Sequence, residues 1–219
     1  MKTKFISMFA IIALSGAMML FSCKKDKNET AVLQSKQVKD LQADTIIGVY
    51  TSGPATGQPY GSGKFTFYSL ETNSLIANSD SATNKWDIGL RGTTIITNGG
   101  NSGPASGGAF VYVGTFDDLK SVPADSVFRI DNAPTSYAIR TGSGNGWYTY
   151  NGATNIITPI PGRILVIRTA SGKYAKIEIQ SYYKGGVTLD ASASDAEKLS
   201  KQRYYTFRYI FQPEGSKTF

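Results

Sequence analysis

The stretch Gly162–Gln180, GRILVIRTASGKYAKIEIQ, contains the clearest strand signals in the chain. From Arg163 to Thr169, apolar residues occupy both faces of the pleat, which is typical of a strand buried on both sides. A short turn follows at Ala170-Ser171-Gly172, because glycine accepts the positive φ that tight turns require. Residues 173–180 then alternate apolar and polar, which predicts a half-buried strand returning antiparallel to the first. A two-stranded hairpin is only marginally stable alone, so we expect more sheet around it.

The chain from residue 45 to residue 219 repeats this pattern of short strands and turns rich in Gly, Asn and Ser. The strand-like segments are Thr45–Thr51, Lys64–Leu70, Lys85–Gly92 continued by Thr93–Thr97, Ala109–Val113, Ser126–Ile130, Trp147–Tyr150, Asn155–Thr158 and Tyr204–Phe211. Two capping-box patterns, Thr115–Asp118 and Ser194–Glu197, predict short helices. The sequence therefore predicts an all-β protein: a single domain of many short, mostly antiparallel strands with at most two short helices.

The N-terminal segment has the features of a lipoprotein signal. Lys2 and Lys4 precede an apolar run, which is the pattern of a secretory signal. The run ends in Leu20-Phe21-Ser22-Cys23, which resembles a lipobox, and Cys23 is the only cysteine in the chain. We therefore predict a signal peptide over 1–22, an acylated flexible tether over 23–44 and the β domain over 45–219. The alternatives are a plain signal that ends near a cysteine, or a membrane anchor, for which about seventeen residues is the lower limit.

The predicted signal peptide changes the net charge of the mature chain and indicates its location. The chain has a formal charge of +7, and loss of Lys2 and Lys4 with the signal leaves +5. We find no basic stripe or nucleic-acid motif, so no nucleic-acid partner is predicted. The charged run Lys24–Glu29 resembles the tag that directs some outer-membrane lipoproteins to the cell surface, although a solvated linker would look the same. We expect a lipid-anchored outer-membrane protein, with surface exposure as the favoured orientation.

The inventory of reactive side chains argues against an enzyme. The chain contains no histidine, and its four methionines, Met1, Met8, Met18 and Met19, all lie in the predicted signal. The usual general base and the usual soft metal ligands are therefore missing from the predicted domain, and Ser-His-Asp chemistry is excluded. The adjacent pair Asp117-Asp118 could serve as catalytic carboxylates. Acidic residues are, however, expected at the start of a helix for electrostatic reasons alone.

Aromatic side chains are the other chemical resource of the sequence. Trp147, Tyr148 and Tyr150 follow a glycine-rich loop that also carries Tyr137. Aromatic residues beside such a loop would suit a flat, mostly apolar ligand. The alternative is that they fill the core or cover sheet edges, as strand aromatics commonly do.

Several long segments resemble the HmuY-like haem-binding lipoproteins. They are KWDIGLRGTTIITNGG, GGAFVYVGTFDDL, GSGNGWYTYNGATNIITPIPGRILVIRTASGKYAKIEIQSYYKG and RYYTFRYIFQP, and the resemblance runs from Thr45 to the C-terminus. It implies an all-β fold and an outer-membrane haemophore. Such a protein takes up haem for iron acquisition and passes it to a TonB-dependent receptor.

The resemblance also implies where a ligand would bind. Haem-binding members ligate iron through two histidines or methionines from loops over the sheet, and at one such position this chain has Asn155. The other ligand would come from residues 131–142, where Tyr137 is the side chain suited to iron. Arg140, Lys173 and Lys184 could pair with the haem propionates. The predicted ligand-binding residues are Tyr137, Arg140, Trp147, Tyr148, Tyr150 and Asn155, with Tyr137 as metal ligand, Cys23 as lipidation site and haem as cofactor. The alternative is a lipoprotein of the same scaffold that binds another ligand or acts in adhesion.

Overall fold

The computed structural model describes residues 33–219, which form thirteen antiparallel strands and one α-helix. The strands are β1 (Lys36–Gln42), β2 (Ile46–Val49), β3 (Pro59–Gly61), β4 (Thr66–Ser69), β5 (Ser74–Ile76), β6 (Ile88–Arg91), β7 (Thr94–Thr97), β8 (Gly108–Val113), β9 (Tyr148–Asn151), β10 (Ile156–Pro159), β11 (Arg163–Arg168), β12 (Tyr174–Tyr183) and β13 (Gln202–Gln212). The helix α1 (Asp195–Lys201) lies between β12 and β13 in sequence. The predicted all-β class is therefore confirmed.

A five-stranded sheet with the order β1-β13-β12-β11-β8 forms the centre of the fold. Leu165 of β11 pairs with Ile177 of β12 on one side and with Val111 of β8 on the other. Its neighbours Ile164 and Val166 face a second apolar cluster on the opposite side of the sheet. The predicted hairpin around residues 170–172 is thus confirmed, and β11 is buried on both faces because both of its faces are apolar.

The main core lies between this sheet and a four-stranded sheet with the order β5-β4-β6-β7. The four-stranded sheet contributes Tyr68, Ile88, Leu90 and Ile95, joined by Leu70 just after β4, and the five-stranded sheet contributes Leu165, Ile167, Ala175, Ile177, Tyr205, Phe207 and Tyr209. The remaining strands form two separate hairpins, β2–β3 and β9–β10. The β9–β10 hairpin also contributes Tyr148 and Ile156 to the main core.

Three local predictions need correction. Residues 85–97 are not one continuous strand, because Gly92 takes φ 54° and Arg91 pairs with Thr94 across a tight hairpin turn. No strand forms at 126–130, where only Arg129 makes an isolated bridge, to Ala109. The Thr115 hydroxyl does accept from the Asp118 N–H at 3.1 Å, but that cap closes a turn and no helix follows. The second cap is confirmed, since the Ser194 side chain accepts from the Glu197 N–H at the start of α1.

Strand β1 occupies part of the segment predicted to be flexible tether. It pairs with β13 at the edge of the five-stranded sheet, and Leu41 is buried there. The two apolar residues of β1, Val38 and Leu41, are three positions apart because the register shifts between them and Asp40 takes φ 53°. A bulge of this kind hides the alternation by which a strand is recognised. The predicted tether therefore does not extend over Lys36–Gln42.

The remaining N-terminal predictions concern the signal peptide over 1–22, the lipidation of Cys23 and the charged run Lys24–Glu29. They lie outside the described residues. Between residues 33 and 219, no helix is both long and apolar enough to cross a membrane.

Candidate functional site

A cavity of ≈ 580 Å³ opens where four parts of the chain meet. They are the β2–β3 hairpin, the β6–β7 turn, the β9–β10 hairpin, and α1 with the first residues of β13. The side chains that matter most for a ligand are Tyr50, Tyr60, Arg91, Tyr150, Asn155, Tyr182, Lys198 and Arg203. The volume lies in the range of small-molecule and cofactor sites.

The β2–β3 hairpin brings two tyrosines to one side of the cavity. The ring centroids of Tyr50 and Tyr60 are 4.9 Å apart with their planes tilted by 49°. The Tyr60 ring lies over Gly48, at a distance that leaves no room for a side chain there. Both rings are substantially exposed, Tyr50 by 47% and Tyr60 by 37%. This hairpin therefore presents an aromatic surface that a flat molecule could contact.

The β9–β10 hairpin brings a third tyrosine to the cavity. Tyr150, 42% exposed, donates a hydrogen bond of 2.7 Å from its hydroxyl to Oδ1 of Asn155 across the hairpin turn. Asn155 takes φ 55°, a conformation that asparagine tolerates better than most residues. The hairpin is tied to β12 because the Tyr183 hydroxyl accepts from the Ile157 N–H at 2.9 Å. The phenol and the amide are thus held together on a fixed turn.

Beneath the cavity, a buried ion pair joins the beginning of β13 to the β1–β2 connection. Nη1 of Arg203 lies 3.1 Å from Oδ2 of Asp44, and both side chains are almost completely buried. The other carboxylate oxygen of Asp44 accepts from the Ser62 hydroxyl and the Gly63 N–H. The Arg203 guanidinium also donates to the Pro59 carbonyl at 3.3 Å. The pair therefore fixes the end of the β2–β3 hairpin at the cavity.

Aromatic residues behind the cavity form a buried wall. The Tyr182 ring lies 5.8 Å from Trp147 and 5.3 Å from Tyr205, measured between centroids. Burial raises the pKa of Tyr182, although Arg203 nearby opposes this shift. Burial also raises the pKa of Tyr205. The phenols of Tyr182 and Tyr205 are therefore poorly suited to act as phenolates.

The structure brings four of the six predicted binding residues together. Tyr150 and Asn155 line the cavity. Trp147 and Tyr148 are buried behind it, where the Trp147 indole donates to the Thr93 carbonyl at 3.0 Å and the Thr93 hydroxyl donates to that of Tyr148 at 3.2 Å. Thr93 itself lines the cavity, so both aromatics support its wall.

The other predicted residues lie elsewhere. Tyr137, the predicted iron ligand, is not among the residues that line the cavity, and it packs against the cluster of Phe67, Trp86 and Ile96. Arg140 is exposed and also outside the cavity. Lys173 pairs with Glu71 at 2.6 Å, and the Lys184 ammonium lies 5.4 Å from the centre of the Tyr204 ring. None of the three predicted propionate partners reaches this cavity.

Sequence reasoning missed Tyr50, Tyr60, Arg91 and Arg203. One sequence signal was available for the first two. Tyr50 and Tyr60 lie at the two ends of a loop rich in glycine and proline, and Tyr150 likewise lies close to a glycine-rich loop. Arg91 had no such signal, because an arginine at the end of a strand is ordinary in sequence.

The comparison with protein families identifies the scaffold. The family model described as HmuY protein matches residues 62–192, which is more than half of the chain. The chain therefore belongs to the HmuY family. The matched region includes Arg91, Tyr150 and Asn155, whereas Tyr50, Tyr60 and Arg203 lie outside it.

Three solved structures are similar at low identity. A candidate lipoprotein from Bacteroides fragilis gives a TM-score of 0.46 at 16% identity, over 80% of this chain and 89% of that chain. A candidate HmuY-like haem-binding protein from Bacteroides vulgatus gives 0.43 at 14% identity, over 67% and 84%. The apo form of a HmuY analogue from Tannerella forsythia gives 0.42 at 16% identity, over 83% and 96%. No curated protein matches the chain.

Proposed function

We propose that this protein is a HmuY-type haem-binding lipoprotein that holds haem in the cavity between the β2–β3 and β9–β10 hairpins. The observation that carries the proposal is the meeting of Tyr150 and Asn155, both in the HmuY-matched region, at one tyrosine-lined cavity. The HmuY family is a family of binding proteins, which also favours ligand binding over catalysis.

The residues present fit haem through oxygen chemistry. The cavity offers phenols from Tyr50, Tyr60 and Tyr150, and a phenolate is a known axial ligand of ferric haem. Bound haem would supply the iron centre, and the chain would supply the anionic oxygen and the aromatic contacts. Tyr150 is our preferred donor because its exposed phenol lines the cavity and its hydroxyl is held in place by a hydrogen bond of 2.7 Å that it donates to Oδ1 of Asn155. If the Asn155 side-chain amide rotated by half a turn, its N–H would donate to the Tyr150 oxygen and stabilise the phenolate form of Tyr150.

The proposal is tested by titration with ferric haem, followed in the Soret and visible bands. The sample is the full chain carrying Cys23→Ser, which removes the predicted lipid attachment. We expect saturable one-to-one binding with a tyrosinate-type spectrum, and Tyr150→Phe should lose that spectrum and weaken binding about tenfold, or about 1.4 kcal/mol.

Tyr137→Phe is the matched control for this titration, because it removes the same hydroxyl from a tyrosine outside the cavity lining. Loss of the spectrum in Tyr137→Phe instead would move the iron ligand to the 131–142 loop. The absence of saturable haem binding to the chain that carries only Cys23→Ser would contradict the haem proposal.

Lipidation and delivery form the second part of the proposal. The lipobox ending at Cys23 and membership of the HmuY family support an outer-membrane lipoprotein, with surface exposure, that passes haem to a TonB-dependent receptor. Incorporation of labelled palmitate into the native chain but not into Cys23→Ser tests the anchor. Transfer of bound haem to receptor-containing vesicles, measured by the loss of the protein-bound spectrum, tests the delivery.

A non-haem ligand is the second candidate function. It is favoured by one observation: the chain has no histidine, and no methionine occurs after residue 19. A flat ligand without iron would use the same tyrosine faces and need no axial ligand. Two results together would favour this candidate: saturable binding of a metal-free porphyrin, and a haem titration that shows no spectral sign of iron ligation by the protein.

A further inference from the structure

Arg91 lines the cavity, and contacts with neighbouring residues hold its guanidinium in place. It is the last residue of β6, and its guanidinium carbon lies 4.3 Å from the centre of the Phe65 ring. Nη1 donates to the Gly63 carbonyl at 3.2 Å. Stacking on an aromatic face and one hydrogen bond fix the plane of the guanidinium, which lowers the entropy that it would lose on binding a ligand.

The charge of Arg91 is not matched by an acidic side chain of the described chain. Among residues 33–219, no carboxylate lies within ion-pair distance of Arg91. The other two cations at the cavity have partners, since Arg203 pairs with Asp44 and the Lys198 ammonium lies 3.9 Å from Asp195. Three cations and two carboxylates line the cavity, so the excess positive charge is that of Arg91.

We propose that Arg91 recognises a carboxylate on the planar ligand of this cavity. The inference rests on the proposed function, and it specifies the ligand class as a flat aromatic molecule that carries at least one carboxylate. A guanidinium binds a carboxylate through two parallel hydrogen bonds, and only one of the five N–H groups of Arg91 is engaged in the described contacts.

The neighbouring cations are less suited to this role. Arg203 already donates to the Asp44 carboxylate, the Asp44 carbonyl and the Pro59 carbonyl. Lys198 is buried, and its ammonium donates to the Ala191 carbonyl at 3.3 Å. Binding a ligand through either residue would break contacts that hold the cavity together, whereas Arg91 would gain a partner without losing one.

The test compares two ligands that differ only in charge, protoporphyrin IX and its dimethyl ester. Both lack iron, so binding does not depend on an axial ligand. Each is titrated by fluorescence against the full chain carrying Cys23→Ser, and against the same chain with Arg91→Gln or Arg140→Gln added. Arg140→Gln is the matched control because Arg140 is an exposed arginine outside the cavity lining.

We expect Arg91→Gln to weaken binding of the free acid about tenfold, as loss of a charge-assisted bidentate pair should, and to leave binding of the ester unchanged. Arg140→Gln should change neither. Arg91→Lys, which keeps the charge but not the planar fork, should fall between Arg91→Gln and the parent chain. Circular dichroism spectra that overlay those of the parent chain would establish that each variant is folded.

Two results would overturn the role of Arg91 alone. One is undiminished binding of the free acid to Arg91→Gln, and the other is an equal loss for acid and ester, which would indicate a change of cavity shape. If neither porphyrin nor haem binds the parent chain, the proposed function is wrong and the assignment of Arg91 is wrong with it.

Discussion

The Arg203 guanidinium lies 3.1 Å from the Asp44 carboxylate, and both residues have left-handed backbone conformations, with φ of 68° and 62°. Such conformations cost free energy for residues other than glycine and persist only where the surroundings enforce them. Here the enforcing contacts are the ion pair and the hydrogen bonds of Asp44 to Ser62 and Gly63. Two strained residues therefore meet directly under the candidate site.

Breaking this pair should be costly. Arg203→Gln leaves the Asp44 carboxylate buried without its cation, so we expect a loss of about 3–5 kcal/mol in the free energy of unfolding. Urea unfolding followed by circular dichroism measures the change. Lys85→Gln is the control, because it removes an exposed pair with Asp80 and should cost no more than about 1 kcal/mol. Equal costs for the two variants would mean that loss of Arg203 from the buried pair costs no more than loss of Lys85 from an exposed one.

Gly61 should not tolerate even one added methyl group. A Cβ atom at this position would overlap both the Asp44 carboxylate and the Arg203 guanidinium. We expect Gly61→Ala to destabilise the protein by about 1–3 kcal/mol through this overpacking.

The matched control for Gly61→Ala is Gly152→Ala in the β9–β10 turn. There the nearest atom to an added Cβ, Cε1 of Tyr150, lies 3.8 Å away, so the change should stay within about 1 kcal/mol. Both variants are compared by the midpoint of urea unfolding. A neutral Gly61→Ala would show that the two charged groups can separate at no cost.

Asp87 should make stability depend on pH in the acidic range. Its carboxylate accepts from the Leu70 N–H at 2.8 Å and the Ala170 N–H at 2.9 Å, which joins the four-stranded sheet to the β11–β12 turn. Burial raises the pKa of Asp87 above its usual value of 3.8, and these hydrogen bonds offset only part of the shift. Between 3.8 and the raised pKa, the folded state keeps a proton that the unfolded state has released. Stability from this group is therefore fully present below pH 3.8 and declines as the pH rises through that interval.

Asp87→Asn removes this titration. Its amide NH₂ would face a backbone N–H, so we expect a cost of about 1–3 kcal/mol, larger in acid than at neutral pH. Urea unfolding at a series of pH values from below 3.8 to neutrality measures the difference, with exposed Asp125→Asn as control. A cost that grows with rising pH would contradict the raised pKa.

Much of the fold could be predicted because burial leaves a direct mark on sequence. Strand β11 is apolar on both faces and is buried on both, and β13 alternates aromatic residues as a strand with one buried face should. Lys176 did not follow the pattern. Its position in the alternation of β12 predicts an exposed side chain, yet its ammonium is buried and donates to the Phe116 and Leu119 carbonyls at 2.7 Å each. A long side chain can reach partners that local periodicity does not describe.

The candidate site could be predicted only in part, because its walls are distant in sequence. Tyr150 and Asn155 belong to one hairpin and were found from the aromatic segment and the family resemblance. Tyr60, Arg91 and Arg203 reach the same cavity only through the packing of separate hairpins, the β6–β7 turn and β13. Tyr137 is near Tyr150 in sequence, but its loop folds onto the Trp86 cluster.

Under the proposed lipidation of Cys23, the pairing of β1 with β13 would also limit how far the β domain can lie from the membrane. Cys23 is the predicted point of lipid attachment, and the sheet begins at Lys36, thirteen peptide steps later. A fully extended chain of that length spans at most about 45 Å, whereas the predicted tether, which ends at Asp44, would have spanned about 70 Å. If Cys23 is lipidated as proposed, a tether of this length would keep the β domain close to the leaflet that holds the lipid. The proposed transfer to a receptor in the same membrane would then depend on lateral diffusion of the anchored protein.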